Sequence, residues 1–100
     1  MKLFRKLFPS YKDIIIREYV RTMATEMKLV ISCLSPQDGE RKIRLLGKAY
    51  ARNCLFIPTE IAQDFDKVYF PLIGRGIILE NDLHELHSIL KRLETYSKQY

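Results

Sequence analysis

The sequence predicts an all-α fold, a compact bundle of about four helices forming one domain over residues 1–100. Apolar residues recur at helical spacing in four separate segments. The 100 residues include only four glycines and four prolines, so few helix breakers are present. Apolar residues make up 47% and charged residues 29%, which is typical of a globular domain with its own core. We treat residues 1–9 as a basic, apolar N-terminal extension of this domain.

The first helix is predicted over residues 11–34. Ser10 is its expected N-cap, and Asp13 stands three residues later, where an acid is favoured. The apolar residues predicted to face the core follow spacings of 4, 3, 4, 3 and 4. They are Ile16, Val20, Met23, Met27, Val30 and Leu34.

Apolar residues outside this series indicate a surface that another protein could cover. Ile14, Ile15 and Leu29 lie off the core-facing side of the first helix, and Tyr96 and Tyr100 enrich the C-terminal end in tyrosine. Exposed apolar patches mark interfaces, and tyrosine is favoured there. We therefore expect a non-enzymatic interaction or assembly module, whose partner is another protein or a second copy of the chain.

The second helix is predicted over residues 36–53, with Ser35 as cap, Pro36 in the first turn and Asp38 near the positive end of the helix dipole. The short connection predicts that the first two helices are antiparallel neighbours. One side of the second helix is apolar and carries Ile43, Leu46, Tyr50 and Cys54. The opposite side is basic and carries Arg41, Arg44, Lys48 and Arg52.

The third and fourth helices follow the same pattern. The third begins near Pro58, and Pro71 should end or kink it. The fourth begins near Asn81 or Asp82. Their core-facing residues are Ile61, Phe65, Val68 and Leu72, then Leu83, Leu86, Leu90 and Leu93. A minor alternative pairs residues 55–57 with residues 77–79 as two short strands, which would make the fold α+β.

Positive charge is concentrated in the first half of the chain. The net charge is +5, yet residues 1–52 hold 12 Lys and Arg against 5 Asp and Glu, whereas residues 53–100 hold 5 against 7. The first helix adds a basic stripe to that of the second, formed by Arg17, Arg21 and Lys28. If the two stripes formed one patch, they could bind nucleic acid through its phosphates. The alternative function is therefore a sequence-independent nucleic-acid-binding subunit. A helix-turn-helix over residues 43–70 is disfavoured, because its second helix would present three acids and one base to DNA.

No catalytic, metal or nucleotide-binding motif stands out, and we expect no catalytic residue, metal or cofactor. Glu80, His84 and His87 share one side of the fourth helix, but that side points away from its leucines, so a metal site inside the bundle is not expected. Cys33 and Cys54 are predicted to be buried, unlinked small apolar residues.

The sequence indicates a cytoplasmic protein that does not insert into a membrane. The N-terminus lacks the apolar run and cleavage site of a signal peptide, and residues 14–34 contain five charged side chains. Phe4 and Phe8 are expected to pack onto Ile14 and Ile15, rather than attach the short basic segment to anionic lipid.

Overall fold

The computed structural model describes residues 11–100, which form four α-helices and no strand. The helices are α1 (Tyr11–Ser32), α2 (Glu40–Asn53), α3 (Thr59–Arg75) and α4 (Glu80–Ser97), with a 3-10 helix (Cys54–Phe56) between α2 and α3. The predicted all-α bundle is confirmed. The strand alternative is wrong, since part of its first segment lies in the 3-10 helix and Ile78 pairs with another part of the backbone.

The four helices enclose one core. α1 packs against α2 and α4, and α3 packs against the same two helices. Lys42 Nζ lies 3.0 Å from the carbonyl oxygen of Cys33, while Asn53, at the other end of α2, bonds to Glu26, so α1 and α2 are antiparallel as predicted. Most of the predicted core-facing residues are buried. The exceptions are the half-buried Ile16, Tyr50 and Leu83 and the exposed Cys54.

The predicted start of α2 is wrong, because the segment that resembles a helix cap forms a loop. α2 begins at Glu40, and the Ser35 N–H donates to a carboxylate oxygen of Asp38 at 2.7 Å. Gln37 has φ +77° and donates its N–H to Ile78 O at 2.8 Å, while the Ile78 N–H donates to Asp38 O at 2.9 Å. These bonds join the α1–α2 loop to the α3–α4 loop and keep residues 35–38 out of the helix.

Two further expectations concern the helix ends, and the first of them is wrong. Cys33 and Cys54 are exposed rather than buried, since each lies just beyond the end of a helix. Pro71 does not end α3, which continues to Arg75 and stops at Gly76 in the left-handed region. Pro71 lies on the exposed side, where water can bond the carbonyl that the proline leaves without a helical donor.

The start of α4 is fixed by Asp82. α4 begins at Glu80, one residue before the predicted range, and Asp82 Oδ2 accepts the Leu79 N–H at 2.9 Å. A carboxylate in the first turn satisfies a backbone donor that has no partner within the helix.

α2 and α3 approach closely where α2 has a glycine. The Tyr69 ring of α3 lies against Gly47, and the Tyr69 hydroxyl donates to Ile43 O at 3.4 Å. Aromatic rings continue this contact along α3, with Phe65 stacked on Tyr50 at 4.0 Å between ring centroids. This packing positions the surface described next.

Candidate functional site

The basic side of α2 faces solvent. Arg41, Arg44, Lys48 and Arg52 are all exposed, on the opposite side from the buried Ile43 and Leu46. Arg44 pairs with Glu40 at 3.3 Å, and Arg52 pairs with Glu26 of α1. Within residues 11–100, Arg41 and Lys48 form no ion pair. Two of the four predicted cations are therefore available to an outside anion without breaking an ion pair.

The basic residues of α1 do not extend this surface. Arg21 and Lys28 line a groove between α1 and α4 together with Glu94 and Lys98. α2 packs on the other flank of α1, where Glu26 bonds to α2 side chains. The two stripes thus lie on different sides of α1 and do not form one patch. Arg17 is the third residue of the α1 stripe. Its guanidinium Nε is buried and has no hydrogen-bond partner among residues 11–100.

The apolar residues predicted to form an interface are dispersed. Ile14 and Leu29 are exposed and Ile15 is half-buried, but Ile14 and Leu29 are about 22 Å apart along α1 at 1.5 Å per residue. Tyr96 and Tyr100 pack on each other, with their hydroxyl oxygens 2.8 Å apart. That hydrogen bond and burial raise the pKa of Tyr96 to about 12. The predicted packing of Phe4 and Phe8 lies outside the described residues.

Sequence reasoning missed a pair of neighbouring exposed apolar side chains on α3. Phe70 is 65% exposed and Ile73 is 53% exposed, and a spacing of three places them side by side on the helix. Phe70 meets the Tyr69 ring edge-on, at 6.5 Å between centroids. The available signal was their position outside the α3 core series, the same criterion that identified Leu29.

Ile73 also borders a groove between α2 and α3, here called the α2–α3 groove, with a volume of about 340 Å³. Its lining residues include Ile43, Arg44, Tyr69, Ile73, Gly74 and Arg75. Arg75 is held by Asp82, whose two carboxylate oxygens lie 2.9 Å and 3.0 Å from its Nη2. The groove therefore combines apolar walls with two guanidinium groups at its edge.

Two polar contacts beside the core join neighbouring helices. The Tyr50 hydroxyl donates to Asp66 Oδ1 at 2.9 Å, and burial, followed by this bond, raises the pKa of Tyr50 to about 12. On the outer side of α3, the hydrogen bond from Arg92 lowers the pKa of Asp64. The first contact links α2 to α3, and the second links α4 to α3.

Within residues 11–100, neither a metal-binding group of side chains nor a membrane-spanning helix is found. His84 and His87 are exposed on α4, and no three His, Cys, Asp or Glu side chains in this part of the chain are arranged to hold a metal ion. No helix of the described segment has the length and apolar character needed to span a bilayer.

Comparison with known proteins adds no relative. No protein-family model matches the chain, and neither a curated protein nor a solved structure shows significant similarity to it. The geometry of the surface is therefore the basis for a function.

Proposed function

We propose that this chain is a non-enzymatic interaction module that binds another protein through the exposed apolar side of α3. The observation that carries the proposal is the adjacent pair Phe70 and Ile73, both more than half exposed, of which Ile73 lines the α2–α3 groove. Single exposed apolar residues are common on protein surfaces, whereas adjacent ones beside a groove are typical of binding sites. The core does not need this pair, since Phe65 and Leu72 fill the inner side of α3.

A double substitution on α3 tests the proposal. Phe70→Ser with Ile73→Ser should abolish recovery of the partner when the tagged chain is used for quantitative affinity capture from cells that express it. Leu55→Ser is the control, because Leu55 of the 3-10 helix is 88% exposed, lies outside the predicted interface residues and should leave recovery unchanged. Equal recovery by the α3 double variant and the wild-type chain would exclude this surface.

Light scattering distinguishes a second copy of the chain from a different protein as the partner. A concentration-dependent dimer that the α3 double variant loses would identify a second copy of the chain. A wild-type monomer whose captured protein is lost with the same variant would identify a different protein.

Sequence-independent nucleic-acid binding is a second candidate. It is supported by Arg41 and Lys48 on α2, which are exposed and form no ion pair within the described part of the chain. Each neutralised phosphate contributes a slope of about −0.9 to log K against log salt on duplex DNA, so two contacts give a slope near −2. Filter binding at two salt concentrations measures it. Arg41→Glu with Lys48→Glu should abolish retention, and Arg21→Glu with Lys28→Glu controls for net charge from the other side of α1. Equal losses from both variants would indicate a net-charge effect instead of a site.

A further inference from the structure

The shape of the α2–α3 groove limits what can occupy it. Its volume of about 340 Å³ is near the lower limit for pockets that enclose a ligand. Ile43 and Ile73 provide apolar contacts from the two helices, and Phe70 extends the apolar surface outward from Ile73. An occupant must therefore insert one or two apolar side chains while lying across α3. A flat bilayer surface does not enter such a groove, and a phosphate backbone has no apolar group to place there.

The charge around the groove favours an acidic occupant. Arg44 lies at the groove edge, and Lys48 follows one turn later on the same side of α2. The only acid that lines the groove in the described residues is Glu40, and its ion pair with Arg44 is exposed and therefore weak. Arg44 can exchange Glu40 for a carboxylate of the occupant, and Lys48 forms no ion pair within residues 11–100. The segment 1–8 of the chain itself contains three Lys or Arg and no acid, so it has the wrong charge for this position.

We propose that the α2–α3 groove binds an acidic amphipathic helix of a partner protein, an inference that rests on the proposed function and specifies its ligand. The helix inserts an aliphatic or aromatic side chain between Ile43 and Ile73, and a second anchor three or four residues away packs on Phe70. Its carboxylates face Arg44 and Lys48. Helix-in-groove recognition uses anchors at this spacing, and opposite charges at the rim set orientation and partner choice.

Three designed peptides test the inference with the full chain. The first is an amphipathic helix with Leu at positions i, i+3, i+4 and i+7 and Glu elsewhere. The second replaces every Glu with Lys, and the third scrambles the Leu positions at constant composition. The first peptide should bind in fluorescence anisotropy and shift the amide resonances of Ile73, Gly74 and Gly76, with affinity at least about tenfold above that of either control peptide.

Charge reversal makes the test specific to this groove. Arg44→Glu with Lys48→Glu should reverse the preference toward the Lys peptide, whereas Arg21→Glu with Lys28→Glu should preserve the preference for the Glu peptide. All four side chains are exposed, so the fold should survive, as the amide spectrum of each variant will show. Equal binding of the ordered and scrambled peptides, or loss of the preference in both charge variants, would overturn the inference.

The remaining outcomes separate this inference from the proposed function. In one outcome, the Glu peptide does not bind although the Phe70→Ser and Ile73→Ser double variant still loses partner capture. That result overturns the acidic helix as the ligand and leaves the interaction surface in place. Failure of the peptide together with unchanged capture overturns both. In another outcome, phosphatidylglycerol vesicles or a single-stranded oligonucleotide shift the amide resonances of the groove residues when the peptide shifts none. That result overturns the acidic helix and identifies the lipid or the oligonucleotide as the ligand.

Discussion

Gly47 and Gly74 both lie inside helices, yet replacing each with alanine should change stability in opposite directions. Glycine in a helix interior costs about 0.5–1 kcal/mol relative to alanine. Gly74 lies in the last turn of α3, and a Cβ there meets no atom within 4 Å, so Gly74→Ala should stabilise the protein by up to about 0.5 kcal/mol. A Cβ at Gly47 would overlap the Tyr69 hydroxyl oxygen and lie 2.9 Å from Tyr69 Cζ, closer than ordinary contact at 3.4–4 Å.

The cost at Gly47 depends on how freely Tyr69 can move. Its ring stacks with Phe65 at 5.5 Å and meets Phe70 at 6.5 Å between centroids, so a shift disturbs both contacts. Overpacking of this kind costs about 1–3 kcal/mol, which exceeds the helix gain and leaves Gly47→Ala destabilised by up to about 2 kcal/mol. Tyr69→Phe removes the nearest atom, so Gly47→Ala should cost about 1 kcal/mol less in that background.

Urea unfolding followed by circular dichroism measures these differences, with equal m-values expected for all variants. Gly74→Ala is the matched control for helix propensity, and Tyr69→Phe completes the double-mutant cycle. A Gly47→Ala protein as stable as Gly74→Ala would refute the proposed close approach of α2 and α3. So would an absence of coupling between Gly47→Ala and Tyr69→Phe.

Three other measurements examine particular interactions. Gly76→Ala should lower stability by about 1 kcal/mol, because φ at Gly76 is +72°, and an unchanged midpoint in thermal unfolding would contradict this. The pKa of Tyr50, about 12 against an ordinary 10.0, means that the folded state retains this proton more tightly. The stabilisation that comes from the protonated Tyr50 is complete below pH 10 and is lost from pH 10 to 12. Asp66→Asn should lower the pKa of Tyr50, as measured by an absorbance titration at alkaline pH. The pKa of Asp64 is lowered from 3.8, so its stabilising effect is present above pH 3.8 and is lost as the pH falls through the pKa of the folded state. Arg92→Gln should bring this pKa back toward 3.8 in an NMR titration. An unchanged pKa would exclude the pairing of Arg92 with Asp64.

The fold could be predicted because the apolar spacing repeats in each helix. The start of α2 could not, because Ser35, Pro36 and Asp38 suit a turn as well as a helix cap. What decides between them is the pairing of this loop with Ile78, some 40 residues later, which no local pattern contains. The exposure of Cys33 has a similar cause, since apolar neighbours in sequence do not show where the helix ends.

Part of the candidate surface could also be predicted. The core-facing residues of α2 fix where its opposite side points, so the exposure of Arg41 and Lys48 follows from the sequence. Whether the α1 stripe joins them depends on which flank of α1 contacts α2. That flank carries Glu26, and the basic residues Arg21 and Lys28 lie on the other. The spacing of apolar residues shows which side of each helix faces the core, but it does not show which helices lie next to one another.

The exposed side of α3 has no explanation in folding alone. The side chains of Phe65 and Leu72 are almost completely buried, so the inner side of α3 is already filled. Phe70 and Ile73 retain more than half of their surface in water, and burying apolar surface gains about 25 cal/mol per Å². Serine at these positions should therefore change stability little and binding much. A partner that covers this pair would supply the burial that the bundle itself does not, which is why stability and capture should be measured on the same variants.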